Sequence, residues 1–342
     1  MYKWVIYSSV VIFALIILAA IVGSIYEMAG RSSAAREFPP PGKMVDIGGR
    51  RIQLDCRGSG SPTVVFESGL DVMGSLSWSL VHDEIAKTTR ACAYSRAGIM
   101  WSDPHDAPQN GKSIAQDLHD ALKKAGESGP FVMVGHSLGG PYIMTYTKYF
   151  GSDVAGIVFV DASHPDQIKR LADAAVLSKK QQVMQFRNKL GALLNWTGIV
   201  RIVAGSYKNM PNLPARDDQA VKAYTSTSLG PMLKESDAFE QTLAEAGTFR
   251  ELGSRPLYVL TSMKPLPAEI LAYLNITPKQ GKQRRKDWKE MQDEEASWSS
   301  QSQHQLIPDA GHYIQLDRPD IVIAAVRSVV EKVRENNSSQ PH

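Results

Sequence analysis

The sequence predicts an α/β protein: one mostly parallel sheet with helices on both faces, preceded by a single N-terminal membrane-spanning helix. Two observations support this fold class. From residue 45 onwards, short runs rich in Val, Ile and Leu alternate with segments whose apolar residues recur at helical spacing. Near-continuous apolar strands are typical of parallel sheets buried on both faces. Ahead of these runs, residues 4–26 contain no charged side chain.

The N-terminal apolar segment is long enough to cross a bilayer. At about 1.5 Å per residue, its length matches a hydrocarbon core of about 30 Å. A cleaved signal peptide has an apolar core of only about 7–15 residues, although the small residues at 19–24 would also suit a cleavage site. We predict a retained anchor over 4–26 and a short, polar, Pro-rich tether over 27–43.

The basic residues around this segment bear on its orientation. Lys3 precedes the apolar stretch. Arg31, Arg36 and Lys43 follow it. Counting these charges would keep the large domain in the cytoplasm, whereas the cysteines considered below favour the opposite side. The sequence therefore leaves the orientation open.

The strands and helices of the main domain follow the tether. A β-hairpin is expected from 44–47 and 51–56, around the turn at Gly48 and Gly49. Further strands are expected at 63–66, 90–94, 131–134, 154–160, 257–261 and 305–307. Helices are expected at 80–88, 113–125, 140–149 and 320–333.

Residues 162–255 differ in composition from the segments on either side. They are rich in Lys, Gln and Ala in helical patterns broken by Gly and Pro. They are also too long for a plain connection between two strands. We predict a helical cap inserted over the strand ends of a core formed by residues 45–161 and 256–336.

The hexapeptide at 135–140, Gly-His-Ser-Leu-Gly-Gly, follows a buried-strand pattern and precedes a helical one. This G-x-S-x-G arrangement predicts a sharp strand-to-helix turn that presents Ser137 as a nucleophile. The glycines allow strand and helix to pass closely. The backbone N–H of Leu138 would then face a developing oxyanion, and an N–H from the loop after 63–66, at Leu70, would complete the oxyanion hole.

A serine nucleophile needs a base and an orienting carboxylate. His312 lies in a strand-to-helix loop downstream of the serine and is the expected base, in the chain order Ser, acid, His. The competing histidines are His82, His105, His119, His164 and His304. The strand at 257–261 is not followed by an acid, so Asp161, after the strand at 154–160, is the predicted acid.

Other readings of the carboxylates stay open. Asp161 could instead cap a turn. Asp287, Asp293 and Glu269 are the other candidates for the acid. Asp317, before Arg318 and Pro319, is expected to cap the last helix. Glu67 would either orient the oxyanion loop or carry a solvated charge.

Composition excludes several function classes. The net charge of +3 is distributed over both signs, which does not favour nucleic-acid binding. The eight histidines are dispersed and the two cysteines lie far apart, so no metal-binding spacing is present. We expect no metal and no cofactor. The expected partners are a small-molecule substrate and, through the N-terminal helix, a membrane.

Taken together, these motifs resemble the α/β-hydrolase superfamily over residues 45–336. The matching stretches are 64–70, 94–98 with 101–104, 135–140, 158–161, and 311–312 with 317–319. The Glu-Ser-Gly sequence at 67–69, where many relatives carry His-Gly, is similar to a membrane-anchored or exported bacterial branch. The resemblance implies an eight-stranded sheet with its second strand antiparallel, a helical cap after the sixth strand, Ser137 as nucleophile and His312 as base.

The sequence departs from the family pattern at two places. Ser95 stands where relatives often have Asp, and the strand after the cap lacks its acid. Because the nucleophile is Ser and not Asp, the resemblance disfavours the epoxide hydrolase and haloalkane dehalogenase branches. The family strand order would bring Cys56 beside Cys92. A disulfide there would indicate an oxidising compartment; buried free thiols are the alternative.

These observations predict a serine hydrolase, either a carboxylesterase or a lipase-like enzyme acting through an acyl-enzyme on Ser137. Amide or C–C bond hydrolysis is the alternative chemistry. A non-catalytic binding module at the membrane is the alternative role. Four apolar cap residues favour a lipophilic substrate reached from the bilayer, unless they only pack the cap onto the core: Met184, Leu193, Leu194 and Trp196.

Overall fold

The computed structural model describes residues 2–171 and 178–339, and its centre is an eight-stranded sheet. The strands are β1 (Lys43–Asp46), β2 (Arg51–Arg57), β3 (Thr63–Glu67), β4 (Ala91–Ser95), β5 (Phe131–His136), β6 (Val154–Val160), β7 (Leu257–Ser262) and β8 (Ser302–Ile307). Their spatial order is β1-β2-β4-β3-β5-β6-β7-β8. β2 pairs antiparallel with both neighbours, and all pairs from β4 to β8 are parallel. The predicted fold class is confirmed.

Thirteen α-helices lie within the described residues. They are α1 (Tyr2–Glu37), α2 (His82–Ala86), α3 (Gly111–Ala125), α4 (Gly139–Phe150), α5 (Gln167–Arg170), α6 (Lys179–Leu193), α7 (Ile199–Gly205), α8 (Ala215–Asp237), α9 (Phe239–Ala246), α10 (Ala268–Leu274), α11 (Pro278–Ala296), α12 (Ile314–Asp317) and α13 (Pro319–Ser338). α5 to α9 fall in the predicted cap, of which residues 172–177 lie outside the described residues.

The alternation of side chains along the strands creates two cores. On one face, residues such as Val65 and Met133 pack with Leu118 of α3 and Ile143 of α4. On the other face, α2 and α13 cover the remaining strand residues. Because the central strands are buried on both faces, they are apolar almost throughout, and that made them recognisable from sequence.

The largest differences from the sequence prediction lie in two segments. Residues 27–37, expected to form a tether, continue helix α1 instead. This part of the helix packs on the cap, where Glu27 and Ala34 are buried. The sequence pattern predicts no element over residues 268–296, where the structure has α10 and α11. One described helix, Lys3–Glu37, is long and apolar enough to cross a membrane.

The two cysteines face each other across neighbouring strands. Cys56 of β2 is the register partner of Cys92 of β4, and the two form a disulfide. Of the two alternatives left by the sequence, the structure therefore has the bonded form.

Candidate active site

Ser137 occupies the turn between β5 and α4, with a backbone φ of +53°. The turn is so tight that a Cβ on Gly135 would lie 2.6 Å from the carbonyl oxygen of Gly139. A Cβ on Gly139 would in turn lie 2.5 Å from the carbonyl oxygen of Glu67. Only glycine fits at these two positions, and the serine is held in a conformation that a non-glycine residue rarely adopts. Such strain is typical of a nucleophile presented at a sharp turn.

The structure brings the three predicted catalytic side chains into one line. Ser137 Oγ lies 2.9 Å from His312 Nε2, and His312 Nδ1 lies 2.7 Å from Asp161 Oδ2. Asp161 is buried, whereas the His312 side chain is 42% exposed. The carboxylate is thus shielded from water, while the imidazole is open to solvent.

Asp161 follows β6 and is fixed by donors from two other elements. Its Oδ1 accepts hydrogen bonds from the backbone N–H of Ser262 and from Nε1–H of Trp288, both at 2.9 Å. Its backbone φ is +45°. β7, which carries no acid at its end, therefore contributes an N–H that orients the acid of β6. Trp288 was not identified from the sequence.

The alternative acids lie away from His312. Asp293 pairs with Lys289 and with His304, and Asp287 accepts a hydrogen bond from Gln283. Glu269 is exposed in α10. None of these three carboxylates contacts the imidazole of His312.

The expected oxyanion donors flank the serine. A Cβ on Gly69 would lie 2.9 Å from the Cβ of Ser137, so the loop that carries Leu70 rests against Ser137. Leu138 directly follows the serine at the start of α4. Over residues 2–171 and 178–339, the backbone N–H groups of Leu70 and Leu138 have no hydrogen-bond acceptor. Both remain available to a ligand oxygen.

Arg96 binds the loop of residues 68–70, called the oxyanion loop here because it carries the expected donor Leu70. Its Nη1 donates to the carbonyl oxygen of Ser68 at 2.8 Å and to the Ser68 hydroxyl at 2.9 Å. Its Nη2 donates to the carbonyl oxygen of Gly69 at 2.6 Å. The guanidinium is buried. Two successive carbonyl groups of the loop are therefore directed towards Arg96, away from the serine.

Two buried carboxylates balance this guanidinium. Glu67 lies 2.7 Å from it, and Glu235 of cap helix α8 forms two bonds of 2.8 Å. Burial raises the pKa of Glu67 to about 7, although Arg96 acts in the opposite direction. Burial also opposes the charge of Arg96, but Glu235 and Glu67 outweigh it and raise the pKa of the guanidinium. Glu67 thus orients the loop and is not solvated, and the network connects the loop to the cap.

His136 supports the loop that carries His312. It is buried, and its Nε2–H donates to the carbonyl oxygen of His312 at 2.9 Å. Burial, and secondly the neighbouring His312, hold the pKa of His136 well below its ordinary value. His136 is therefore a neutral residue that positions the loop. Nothing in the local sequence indicates this contact, so the role of His136 is visible only in the structure.

Asp317 has a different role from the one predicted. It lies at the end of α12, and the position before α13 is Arg318, with no side-chain capping bond. Asp317 Oδ2 accepts the backbone N–H of Gly311 at 2.7 Å, and its Oδ1 accepts from Asn212 of the cap at 3.0 Å. The prediction of a helix cap is wrong, because the carboxylate turns back to the loop that carries His312.

Apolar clusters lie on both sides of the hydrogen-bonded line. On the oxyanion side, Leu138 packs with Leu243 of α9 and with Leu70. On the histidine side, Leu316 packs with Leu213 of the cap and with Met73. Each cluster combines residues of the core and the cap, so the site lies where the two meet.

Two groups of side chains in the described residues have a metal-like arrangement. One contains Cys56 and Cys92, which are already bonded to each other. The other contains His164, Asp166 and Glu294. Arg250 pairs with both of its carboxylates, so a guanidinium already neutralises the acids that a cation would need.

Comparisons with known proteins agree with this architecture. A model of the alpha/beta hydrolase family matches residues 48–325. An esterase from Thermogutta terrifontis is 18% identical, with a TM-score of 0.56, over 83% of this chain and 94% of its own. A variant of an epoxide hydrolase from Bacillus megaterium is 15% identical, with a TM-score of 0.59, over 84% of this chain and 100% of its own. At these identities the two structures show the shared fold alone.

Curated relatives match a smaller part of the chain. A Schizosaccharomyces pombe protein, C23C11.06c, is 32% identical in an alignment 146 residues long that covers 35% of this chain. The match covers 27% of that protein's own length. The Bacillus subtilis protein YbdG is 23% identical over 155 residues, and the match spans 48% of its length. The chain therefore spans less than half of either relative.

Proposed function

This chain belongs to the alpha/beta hydrolase family, and on that premise we propose that it is a membrane-anchored serine hydrolase that cleaves carboxylic esters. The observation that carries the proposal is the hydrogen-bonded line from Ser137 through His312 to Asp161, with distances of 2.9 and 2.7 Å. A hydroxyl at the start of such a line loses its proton as it attacks a carbonyl carbon.

The reaction takes place in two halves. In the first, Ser137 Oγ attacks the ester carbonyl carbon while His312 Nε2 takes its proton. The carbonyl oxygen becomes an oxyanion that accepts the N–H groups of Leu70 and Leu138. The intermediate then collapses, the alcohol leaves with the proton from His312, and an acyl-enzyme remains. Asp161 keeps Nδ1–H in place and stabilises the imidazolium.

Water completes the second half. His312 takes a proton from a water molecule as that water attacks the acyl carbonyl, and the same two N–H groups bind the oxyanion again. The collapse of this intermediate breaks the bond to Ser137 Oγ, which recovers the proton from His312. The carboxylic acid is released. Every proton in this scheme moves between the substrate, water and groups of this chain.

The surroundings of the line favour an apolar ester. One cluster, with Leu138 and Leu243, borders the oxyanion side, and the other, with Leu213 and Leu316, borders the base. Apolar substituents on either side of the ester bond would be removed from water here, which is favourable by about 25 cal/mol per Å² of buried surface. The substrate class that fits is an ester with little charge near the scissile bond.

We also place the catalytic domain outside the cytoplasm. The Cys56–Cys92 disulfide supports this side of the membrane, because such bonds persist in oxidising compartments and are rare in the cytosol. The counted basic residues around α1 favour the other side. We give the disulfide more weight. A few flanking charges only bias the orientation of the helix, whereas a disulfide between two strands of the sheet requires that the domain folded in an oxidising environment.

A fluorophosphonate probe tests the nucleophile directly. The full chain is treated in detergent and analysed by mass spectrometry, alongside Ser137→Ala and the control Ser163→Ala. Ser163 is a buried serine beside the turn that carries Ser137. The Ser163 hydroxyl has no part in the proposed scheme. We expect one adduct on Ser137 in the wild type and in the control, and none in Ser137→Ala. A folded wild type without an adduct would contradict the proposal and favour a non-catalytic role.

A further inference from the structure

The membrane-spanning helix and the cap approach each other at a level that lies inside the apolar span. A Cβ on Gly23 of α1 would overlap the carbonyl oxygen of Thr197, and a Cβ on Gly198 would lie 2.6 Å from the ring of Tyr26. Glycine on both sides permits this backbone contact. Gly23 lies three residues before Tyr26, the last residue of the uncharged segment. At about 1.5 Å per residue, Thr197 therefore contacts α1 about 4.5 Å inside the end of the apolar span.

A buried polar network fixes the helix to the cap immediately beyond this contact. Glu27 of α1 is 2% exposed and accepts hydrogen bonds from Arg201 of α7 at 2.9 Å and from Ser226 of α8 at 2.8 Å. Arg31, one turn along α1, bonds to the same carboxylate. A buried charge with this many partners is costly to separate from them. The level of the cap along α1 is therefore set by the protein and not by a loose linker.

The part of the cap around this contact has an exposed apolar surface. In α6, apolar side chains recur at helical spacing on the outward side, and the surface continues through residue 196 into α7. Its members are between 43% and 71% exposed. We call this surface the cap apolar face: Phe186, Leu190, Leu193, Trp196, Ile199 and Ile202. A contiguous exposed apolar surface of this kind is unusual on a water-soluble domain and indicates a contact partner.

The segment that carries the cap apolar face is basic, although Lys189 of α6 pairs with Asp237 of α8 at 3.1 Å. Residues 178–216 contain seven Lys or Arg and no Asp or Glu. Lys179, Lys180, Arg187 and Lys208 are exposed. An apolar face with a tryptophan, flanked by exposed basic residues, matches the composition of helices that lie in the interface of an anionic bilayer.

We propose that the cap apolar face rests in the headgroup and upper acyl region of the bilayer that α1 spans. The inference rests on the anchoring of α1 in the proposed function and adds a second membrane contact. The face occupies the level at which α1 leaves the hydrocarbon core, so a bilayer around α1 also meets Trp196 and Leu193. The cap, which borders the catalytic site, would then lie where lipophilic esters are concentrated.

Site-directed spin labelling in the full chain tests this placement. Because both native cysteines are bonded to each other, an introduced cysteine is the only reactive thiol. Labels are placed by Leu193→Cys on the cap apolar face, Ile16→Cys in α1, and Glu331→Cys in α13 as the control. The chain is reconstituted in nanodiscs of phosphatidylcholine and phosphatidylglycerol. Collision with oxygen, which concentrates in the bilayer, is compared with collision with a water-soluble nickel chelate.

We expect the labels at residues 193 and 16 to favour oxygen and the label at residue 331 to favour nickel. If residue 193 behaves like residue 331 while residue 16 favours oxygen, α1 is an anchor and the cap inference is overturned. If residue 16 favours nickel, the anchor of the proposed function fails, and the inference fails with it. Shielding of residue 193 from both probes, with dipolar broadening between labels, would assign the face to a second copy of the chain and overturn the bilayer contact.

Discussion

Asp161 Oδ2 lies 2.7 Å from His312 Nδ1, although the two residues are 151 positions apart in the chain. Asp161 stands after β6, and β7 supplies the backbone N–H of Ser262, which donates to the second carboxylate oxygen. Both oxygens of Asp161 are therefore engaged, one with the base and one with fixed donors. The carboxylate has a single orientation, and it holds the imidazole with Nε2 towards Ser137.

Replacing this carboxylate with an amide should remove most of the activity. In Asp161→Asn the side chain can no longer stabilise a protonated imidazole or fix its tautomer, so we expect kcat for a chromogenic ester to fall by about 10³–10⁴-fold, with little change in KM. Asp287→Asn and Asp293→Asn, at the carboxylates that the sequence left open, serve as controls and should retain wild-type kinetics. Full activity in Asp161→Asn would show that the acid lies elsewhere.

Trp288 should act as a positioning residue through Asp161. Trp288→Phe keeps most of the ring but deletes the N–H that donates to Asp161 Oδ1. Because a hydrogen bond to a charged group contributes about 1.5–3 kcal/mol, a fraction of it lost from the transition state lowers kcat by roughly tenfold. KM should stay unchanged, since Trp288 does not touch the substrate in the proposed scheme. A rise in KM at constant kcat would instead indicate a role in binding.

Much of the fold could be predicted because its strands carry a strong local signal. β5 and β6 are continuous apolar runs, as expected for strands covered on both faces. β8 was predicted three residues too short, since its first half is polar at the edge of the sheet. α11 was missed for a related reason: it is charged over most of its surface and buries few side chains, so its apolar periodicity is weak.

The candidate site was only partly accessible from the sequence. Ser137 is carried by a local motif, and His312 and Asp161 followed from chain order and from their positions after strands. Arg96 and His136 carry no comparable signal, because the sequence around a single arginine or histidine does not distinguish a solvated side chain from a buried one. Their roles depend on partners that only the folded chain brings together.

The guanidinium of Arg96 should be required for both stability and catalysis. Arg96→Lys keeps the charge, but one ammonium group cannot reach Glu67, Glu235 and the carbonyl groups of Ser68 and Gly69 together. Breaking a buried ion pair costs about 3–5 kcal/mol. We expect the free energy of unfolding, measured by urea denaturation, to fall by an amount in this range. Arg90→Lys, at a partly exposed pair with Glu127, is the control and should change it little.

The catalytic activity of Arg96→Lys is a second measurement on the same variant. Because Arg96 draws the carbonyl groups of the oxyanion loop towards itself, its loss should misplace the N–H of Leu70. The folded fraction of Arg96→Lys should therefore show a lower kcat per active site, with the active sites counted by fluorophosphonate labelling. An unchanged kcat per labelled site would restrict Arg96 to a structural role.

His164 should make the protein less stable in acid. Burial lowers its pKa from the ordinary 6.5 to about 4, with Glu294 acting in the opposite direction. The unfolded chain therefore binds a proton between these two values while the folded chain does not. The resulting stability is fully present above pH 6.5 and is lost as the pH falls towards 4, at about 1.4 kcal/mol per pH unit.

A non-titrating replacement isolates this contribution. In His164→Asn the side-chain oxygen can still accept the backbone N–H of Asp166, which bonds to Nδ1 in the wild type. We expect the free energy of unfolding of the variant to fall by about 2.4 kcal/mol less than that of the wild type between pH 7 and pH 4.5. His105→Asn, in a partly exposed loop, is the control and should follow the wild type. Parallel pH curves for His164→Asn and wild type would contradict the assignment.

The Cys56–Cys92 disulfide should stabilise the domain and report its compartment. The bond joins two adjacent strands and closes a loop with a sequence separation of 36, and bonds of this kind typically contribute about 2–4 kcal/mol, chiefly by constraining the unfolded chain. We expect the double variant Cys56→Ala/Cys92→Ala to lose about that much free energy of unfolding. Reduction should destabilise the wild type equally and leave the double variant unaffected, which separates loss of the bond from loss of side-chain packing. Peptide mapping of chain purified from membranes, with alkylation before any reduction, then gives the state in the cell: a linked peptide pair supports a catalytic domain outside the cytoplasm, and two alkylated free thiols would place it inside.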